Sequence, residues 1–374
     1  MARRKYTIIE RNYTIEKLGS QGEGIAEGVY IPYTLPGEEV FANVLKDKGR
    51  LLNVIKPAAN RVEPPCPYFG KCGGCMLQHM SQESYIDFKV ELIRRTLKLD
   101  FNPPFLMVPH GIRRRAAFSF KNNEMGFHFY QSHKILPFKS CLLLQPILNE
   151  LFPKFTTIKG EGTLWLTVVD NGIDINIRRK GDPDLHESEL VAAVARDYPE
   201  VIRITWNNTD MILKAVPEIY GKPFPPSAFL QTSKEAEKMI GSAVHDGLIG
   251  CKNVADLFCG LGTYARYLPE ATVDGYDIYK GRDLFTHPVP AEELEKYDGI
   301  VFNPPRAGAK NQVHEIAKTN VKKVVAVSCN PATLARDLEI LYAGGYKLRA
   351  LICVDQFIYT SYVECIAHLE LERE

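Results

Sequence analysis

Residues 6–55 alternate short Tyr-, Val- and Ile-rich runs with turns at Gly19-Ser20-Gln21-Gly22-Glu23-Gly24 and Leu35-Pro36-Gly37-Glu38. Apolar runs broken that often predict a small β-barrel. The period then changes. Between Ser81 and Leu97, the residues Ile86, Val90, Ile93 and Leu97 recur on one side of a predicted helix. Strand-like segments return from 105 to about 220, at Arg115 to Phe120, Thr163 to Val169 and Ile173 to Ile177. Turn glycines such as Asn171-Gly172 make this stretch antiparallel-rich. From about 227 the pattern becomes αβαβ. A helix over Lys234 to Val244 precedes strands at Asn253 to Phe258, Thr272 to Asp277, Gly299 to Phe302 and Lys323 to Val327. A helix around Val313 to Lys318 separates the last two, and runs at Leu351 to Val354 and Val363 to Leu369 complete the set. The expectation is an α/β chain of three units: a small barrel over 1–58, a central antiparallel-rich α+β unit over 59–225, and a doubly wound sheet over 226–374. The ligand of such a sheet belongs beyond the C-terminal ends of its strands.

At 374 residues, 45% hydrophobic and 24% charged, the chain has the composition of a soluble globular protein. A net charge of +1 neither demands nor excludes a polyanionic partner, so local runs carry that question. The start, Met1-Ala2-Arg3-Arg4-Lys5, is basic, but no apolar signal core follows it. Arg113-Arg114-Arg115 and Arg178-Arg179-Lys180 are read either as solvated faces or as a phosphate-binding surface. No stretch approaches 18 apolar residues, which argues against a membrane span. Nine cysteines make a poor disulfide scaffold for this length, so a reducing cytoplasm is expected.

Three constellations carry chemistry. Cys66, Cys72 and Cys75 stand within ten residues, and Cys141 is the best fourth thiolate; tetrathiolate zinc and an iron–sulfur cluster both satisfy the set. Asp256-Leu257-Phe258-Cys259-Gly260-Leu261-Gly262 follows a strand and is expected to open a helix, and its glycines admit an adenosine-containing ligand. The full dinucleotide fingerprint is absent, which disfavours a NAD enzyme. Asp277, ending the next strand, suits ribose hydroxyls, and S-adenosylmethionine (SAM) fits because it has no pyrophosphate to cradle. Asn303-Pro304-Pro305-Arg306 forms an open loop after another strand. Cys329, between the strand ending at Ser328 and a helix beginning near Pro331, is placed for thiolate stabilisation by that helix N-terminus. Glu364 is an acid within an apolar run and a candidate base.

Taken with Phe229-Leu230-Gln231, these segments resemble the SAM-dependent RNA uracil-C5 methyltransferases over nearly the whole chain, and specifically the iron–sulfur branch acting on bacterial 23S rRNA. The resemblance implies a TRAM-like RNA-binding barrel, a Rossmann-like methyltransferase unit and a [4Fe-4S] cluster on Cys66, Cys72, Cys75 and Cys141. It implies Cys329 as nucleophile, Glu364 as base and Gln231 as a contact to the substrate base. The cofactor set on the same reading is Gln231, Asp256, Phe258, Gly260, Gly262, Asp277 and Asn303. RNA is the expected partner, with no membrane and no obligate protein partner.

Three positions depart from that pattern. Asn303 replaces the usual aspartate of Asp-Pro-Pro-Arg. Only Ile278 to Gly281 separates Asp277 from Arg282-Asp283-Leu284-Phe285, which abridges the sheet beside the cofactor. Tyr362 stands where histidine is usual. The shortened cofactor region motivates one alternative, a non-catalytic iron–sulfur RNA-binding protein, and Asn303 motivates another, a cytosine-C5 methyltransferase.

Overall fold

The computed structural model describes residues 8–372, so the basic start Met1 to Lys5 lies outside the described residues. Strands β1 (Ile9–Thr14), β2 (Lys17–Leu18), β3 (Gly24–Ala26), β4 (Val29–Ile31), β5 (Glu39–Leu45) and β6 (Lys48–Lys56) form one sheet in the order β1-β5-β6-β4-β3-β2. Two residues separate β1 from β2, yet these strands stand at opposite ends of that order. The sheet therefore curls. Ile15 N donates to Glu38 O at 2.9 Å and Glu16 N to Ile25 O at 2.9 Å, so adjacent residues serve both ends. Alternate residues, among them Tyr13, Val40, Ala42 and Val44, fill the interior.

Helix α1 (Gln82–Thr96), capped by Ser81, and strand β7 (Phe105–Met107) come next. The second sheet takes β8 (Arg115–Lys121), β9 (Glu124–His128), β10 (Ile135–Pro137), β11 (Glu161–Val168), β12 (Ile173–Arg179), β13 (Val201–Trp206) and β14 (Thr209–Leu213). Its order is β10-β9-β8-β11-β12-β13-β14, antiparallel except for β12 with β13. Helices α2 (Pro146–Leu151) and α3 (Leu185–Asp197) cover the face bearing Phe118, Leu164, Ile175 and Ile204. A short hairpin, β15 (Glu218–Ile219) and β16 (Lys222–Pro223), leads out of this layer.

The third sheet is built from β17 (Asn253–Leu257), β18 (Thr272–Tyr276), β19 (Gly299–Phe302), β20 (Lys323–Ser328), β21 (Tyr346–Asp355) and β22 (Glu364–Leu371), with β7 at one edge. Its order is β18-β17-β19-β20-β22-β21-β7. Strands β17 to β20 are parallel and β22 runs against both neighbours. Helix α4 (Lys234–Gly247) packs on one face with Val301, Val325 and Val327; α1 and α7 (Pro331–Ala343) pack on the other with Ile300, Val324 and Ala326. Neighbouring residues of one strand thus enter opposite cores, which is why these strands read as continuous apolar runs. Helices α5 (Ala291–Leu294) and α6 (Lys310–Ile316) bound the connection through β19. This architecture, an α/β fold ending in a Rossmann-like sheet, is the one expected.

Two details differ from expectation. Strand β7, read as the start of the antiparallel stretch, pairs in parallel with β21 at Cys353 to Asp355. Three residues carry no period that reveals a partner so distant in sequence. The glycine turn after β17 opens one 3₁₀ turn, Tyr264–Tyr267, in place of an α-helix. Pro269 disfavours helical backbone at Leu268 and stops propagation.

Helix α1 also carries the most deeply buried ion pair. Lys89 Nζ lies 2.6 Å from Asp355 Oδ1, both side chains being fully buried, and donates to Tyr362 O at 3.0 Å. Tyr85 donates to the other oxygen of Asp355 and accepts from Tyr359 N at 2.9 Å. Removing one partner strands the other as a buried charge, at a cost of about 3–5 kcal/mol. Lys89→Met is therefore expected to lower the urea midpoint of unfolding sharply, and Lys89→Met with Asp355→Leu to recover much of the loss. A single variant as stable as the parent would show that the pair is not holding α1.

Candidate active site

The registers bring the candidate residues to one edge of the third sheet. Leu257 is level with Tyr276 and Phe302, Phe302 with Ala326, and Ser328 with Cys365. The segments that follow these positions carry Phe258, Asp277, Asn303 and Cys329, while Glu364 enters β22 from the same side. This is the carboxyl edge of the parallel strands, where open α/β sheets bind ligands.

On the β17–β18 side the backbone turns through left-handed conformations at Phe258 (φ 61°), Gly260 (φ 52°) and Gly262 (φ 80°). For a bulky residue such as Phe258 this is strained backbone, tolerated because the surroundings fix it. Asp277 does the fixing: its Oδ2 accepts from Gly260 N at 3.0 Å and its Oδ1 from Tyr279 N at 3.0 Å. A Cβ built on Gly260 meets nothing within 4 Å, so the turn faces open space. Beneath it, Asp256 is fully buried with neither carboxylate oxygen hydrogen-bonded, and burial pushes its carboxyl up to about 8 despite the nearby Lys280 ammonium. An orphaned carboxylate beside an open glycine turn fits a ligand that brings a cation, as SAM does.

On the β20–β22 side Cys329 is half-buried. Burial raises its thiol, the Glu364 charge raises it further, and Arg306 opposes both through its charge and a hydrogen bond. Asn330, not Cys329, occupies the cap, its Oδ1 accepting from Ala332 N at 3.2 Å. Arg306 is held over the Tyr362 ring at 4.2 Å, which gives the residue in the histidine position a role beside the thiol. Glu364 is buried, and burial raises its carboxyl to about 7. Asn303 Nδ2 donates to Tyr264 Oη at 2.8 Å, leaving the Asn303 carbonyl as the free acceptor at this position.

Gln231, the last candidate, is buried, and its Oε1 accepts from Gln356 Nε2 at 2.9 Å. The same Nε2 donates to Glu364 Oε2 at 2.7 Å. Gln356 and Tyr264 were not singled out from the sequence. Gln356 lies eight residues before Glu364 in an irregular loop, and only its side-chain bonds mark it.

Cys66, Cys72, Cys75 and Cys141 line one cavity of about 400 Å³, and all four are free thiols. Burial raises the thiols of Cys72, Cys75 and Cys141, Cys75 to about 12, and neighbouring cysteines raise each further. Asn149 clasps the Cys141 backbone, accepting from its N at 2.8 Å and donating to its O at 3.1 Å. Among the described residues no three His, Cys, Asp or Glu side chains converge closely enough to hold one metal ion. Within the Arg113–Arg115 run, Arg114 turns inward: it is 1% exposed and pairs with Glu237 of α4 at 2.5 Å, while Arg113 and Arg115 are half-buried. In the second run Arg179 pairs with Glu187 at 3.0 Å while Arg178 stays exposed.

Sheet order, glycine turn and buried acids at the carboxyl edge define a SAM-dependent methyltransferase. A family profile described as tRNA (Uracil-5-)-methyltransferase matches residues 291–372. An uncharacterised RNA methyltransferase of Brucella melitensis is 36% identical over 96% of this chain and 98% of its own length. The 23S rRNA (uracil(1939)-C(5))-methyltransferase RlmD of Vibrio vulnificus is 30% identical over 95% of both chains. The Pyrococcus abyssi tRNA (uracil-54, C5)-methyltransferase, solved with S-adenosyl-L-homocysteine, shares the fold at TM-score 0.73 and 21% identity, over 96% of this chain and 100% of its own. This chain belongs to the SAM-dependent RNA uracil-C5 methyltransferase family.

Asp256 generates a pH test. A carboxyl raised to about 8 by burial keeps its proton in the fold while the same group in the unfolded chain ionises near its ordinary value of about 4, so the fold loses stability as pH rises from about 4 to about 8 and no further above that. Asp256→Asn is expected to raise the melting temperature most at pH 8 and above and progressively less towards pH 4, while weakening S-adenosylhomocysteine binding by calorimetry. Equal binding by both proteins would remove Asp256 from the cofactor site.

Proposed function

We propose that this enzyme methylates C5 of a uridine in 23S rRNA through a covalent adduct between Cys329 Sγ and C6. The observation carrying this reading is the placement of Cys329 and Glu364 at neighbouring strand ends, close enough for the acid's charge to act on the thiol. Arg306 lowers the cost of forming the thiolate there. The uridine leaves its stack to reach the site. Cys329 thiolate bonds to C6, and the displaced π electrons make C5 a carbon nucleophile. Asp256 and Asp277 would hold SAM at the glycine turn, and SAM would supply the methyl group that C5 takes, leaving as S-adenosylhomocysteine. Glu364 takes the C5 proton; the released electron pair restores the C5–C6 double bond and expels Cys329. Glu364 Oε1 has no hydrogen bond among the described residues, so it is the oxygen available for that proton.

The 23S rRNA assignment is supported by similarity to RlmD along the whole chain, together with the cysteine set. The curled first sheet is read as a TRAM-like module that grips RNA, and a cytoplasmic location follows from that substrate. Residues 1–58, 59–225 and 226–374 are read as RNA-binding, cysteine-bearing and methyltransferase units. The four cysteines are read as ligands of a [4Fe-4S] cluster, on the resemblance and on the cavity of about 400 Å³ that they line together. The cluster would act as a covalent tie across residues 66–141.

Tritium release from C5-labelled uridine in 23S rRNA transcripts, measured beside methyl incorporation, tests the reaction. Both signals are expected in equal amounts and both should vanish in Cys329→Ala. Methylation of tRNA alone would overturn the substrate. Because Glu364 must be ionised to take a proton, kcat/KM should fall as pH drops below about 7. Protein purified without oxygen should carry about four iron and four sulfide per chain; one zinc without sulfide would replace the cluster assignment.

A further inference from the structure

The side-chain bonds around Gln356 have only one possible direction. Its Oε1 accepts from Thr232 N at 3.3 Å and from Thr232 Oγ1 at 3.0 Å. A backbone N–H can only donate, so the carbonyl end of Gln356 must face Thr232 and the NH2 end must face away. That NH2 meets Glu364 Oε2 at 2.7 Å and Gln231 Oε1 at 2.9 Å. Gln231 is therefore forced to turn its carbonyl towards Gln356. Its own NH2 has no hydrogen bond among the described residues. The Gln231 backbone is held as well, its O accepting from the buried Arg114 Nε at 3.1 Å.

We propose that Gln356 is the residue that makes this site select uracil over cytosine, by fixing the Gln231 amide with its NH2 directed at the base. The proposal rests on the reading that Gln231 contacts the substrate base. Uracil and cytosine differ at position 4, where uracil offers an oxygen acceptor and cytosine an amino donor. An NH2 held towards the base pairs with the uracil oxygen and faces the cytosine amino group donor to donor. An unrestrained glutamine would rotate its amide and accept either base. Discrimination therefore lies in the residue behind Gln231, since a glutamine alone holds both a donor and an acceptor. Gln356 is a positioning residue, and Thr232 is the fixed donor that sets the direction of the relay.

Two RNA stem-loops that differ only in U or C at the methylated position test this, with affinities measured in the presence of S-adenosylhomocysteine. The parent protein should bind the U form at least about tenfold more tightly. Gln356→Leu should bring the two affinities together by weakening U and strengthening C, and Thr232→Val, which keeps the backbone donor, should do so in part. Melting temperature and S-adenosylhomocysteine affinity identify any variant that fails to fold, in which case Thr232→Val carries the test. An equal loss on both RNAs would mean that Gln356 only braces Glu364, and would overturn the selector role. An unchanged ratio in Gln356→Leu and Thr232→Val, with a changed ratio in Gln231→Ala, would overturn the relay and leave the base contact standing. An unchanged ratio in Gln231→Ala would instead overturn the base contact itself.

Discussion

The loop that braces Glu364 hangs from one buried charge pair. Lys89 and Asp355 neutralise each other in the interior, and the remaining donors of the ammonium reach Tyr362 O and Phe357 O. The loop between β21 and β22 is thereby tied to α1 at its beginning and near its end. Within that loop Gln356 braces Glu364, Tyr362 lies under Arg306, and the Tyr359 carbonyl accepts from Met76 N at 2.7 Å and Leu77 N at 3.1 Å. Met76 follows Cys75 directly. One irregular loop thus touches the cysteine segment, the thiol's cationic neighbour and the candidate base. An apolar core would pack α1 as well, but it would not specify where two backbone groups of a loop must stand.

Burial sets the electrostatic character of the site. Asp256, Glu364 and Cys329 all sit where the charged form is disfavoured. Arg306 opposes that for the thiol and the Gln356 amide for Glu364, whereas Asp256 has no hydrogen-bond partner of its own. Raised carboxyl groups suit a proton acceptor, because the conjugate acid that forms in the reaction is already stabilised.

The parallel core was legible in the sequence because each of its strands is buried on both faces and reads as an apolar run. The cysteine cavity was legible as a spacing, and the edge that gathers Asn303, Cys329 and Glu364 as a set of strand ends. What was hidden depends on pairing across great separations. Lys89 and Asp355 are 266 residues apart, and nothing local distinguishes that lysine from a surface one. Gln356 and Gln231 are 125 apart, so a relay of amides could not be read from either segment. Arg114 was hidden for a related reason: a charge run read along the chain looks exposed, whereas this residue, just before β8, meets a carboxylate on α4.

The docking of α1 and β7 against the last sheet has a consequence for how the chain is made. Lys89 leaves the ribosome 266 residues ahead of Asp355, a delay of about 13–50 s at ordinary rates of synthesis. Through that interval the apolar face of α1 and the edge of β7 wait without their partner strands. Strands β21 and β22 are made after both β20 and β7, and they insert between them. This sheet closes from its middle, so a nascent chain that has not yet made β21 and β22 has two unjoined sheet edges and neither Gln356 nor Glu364.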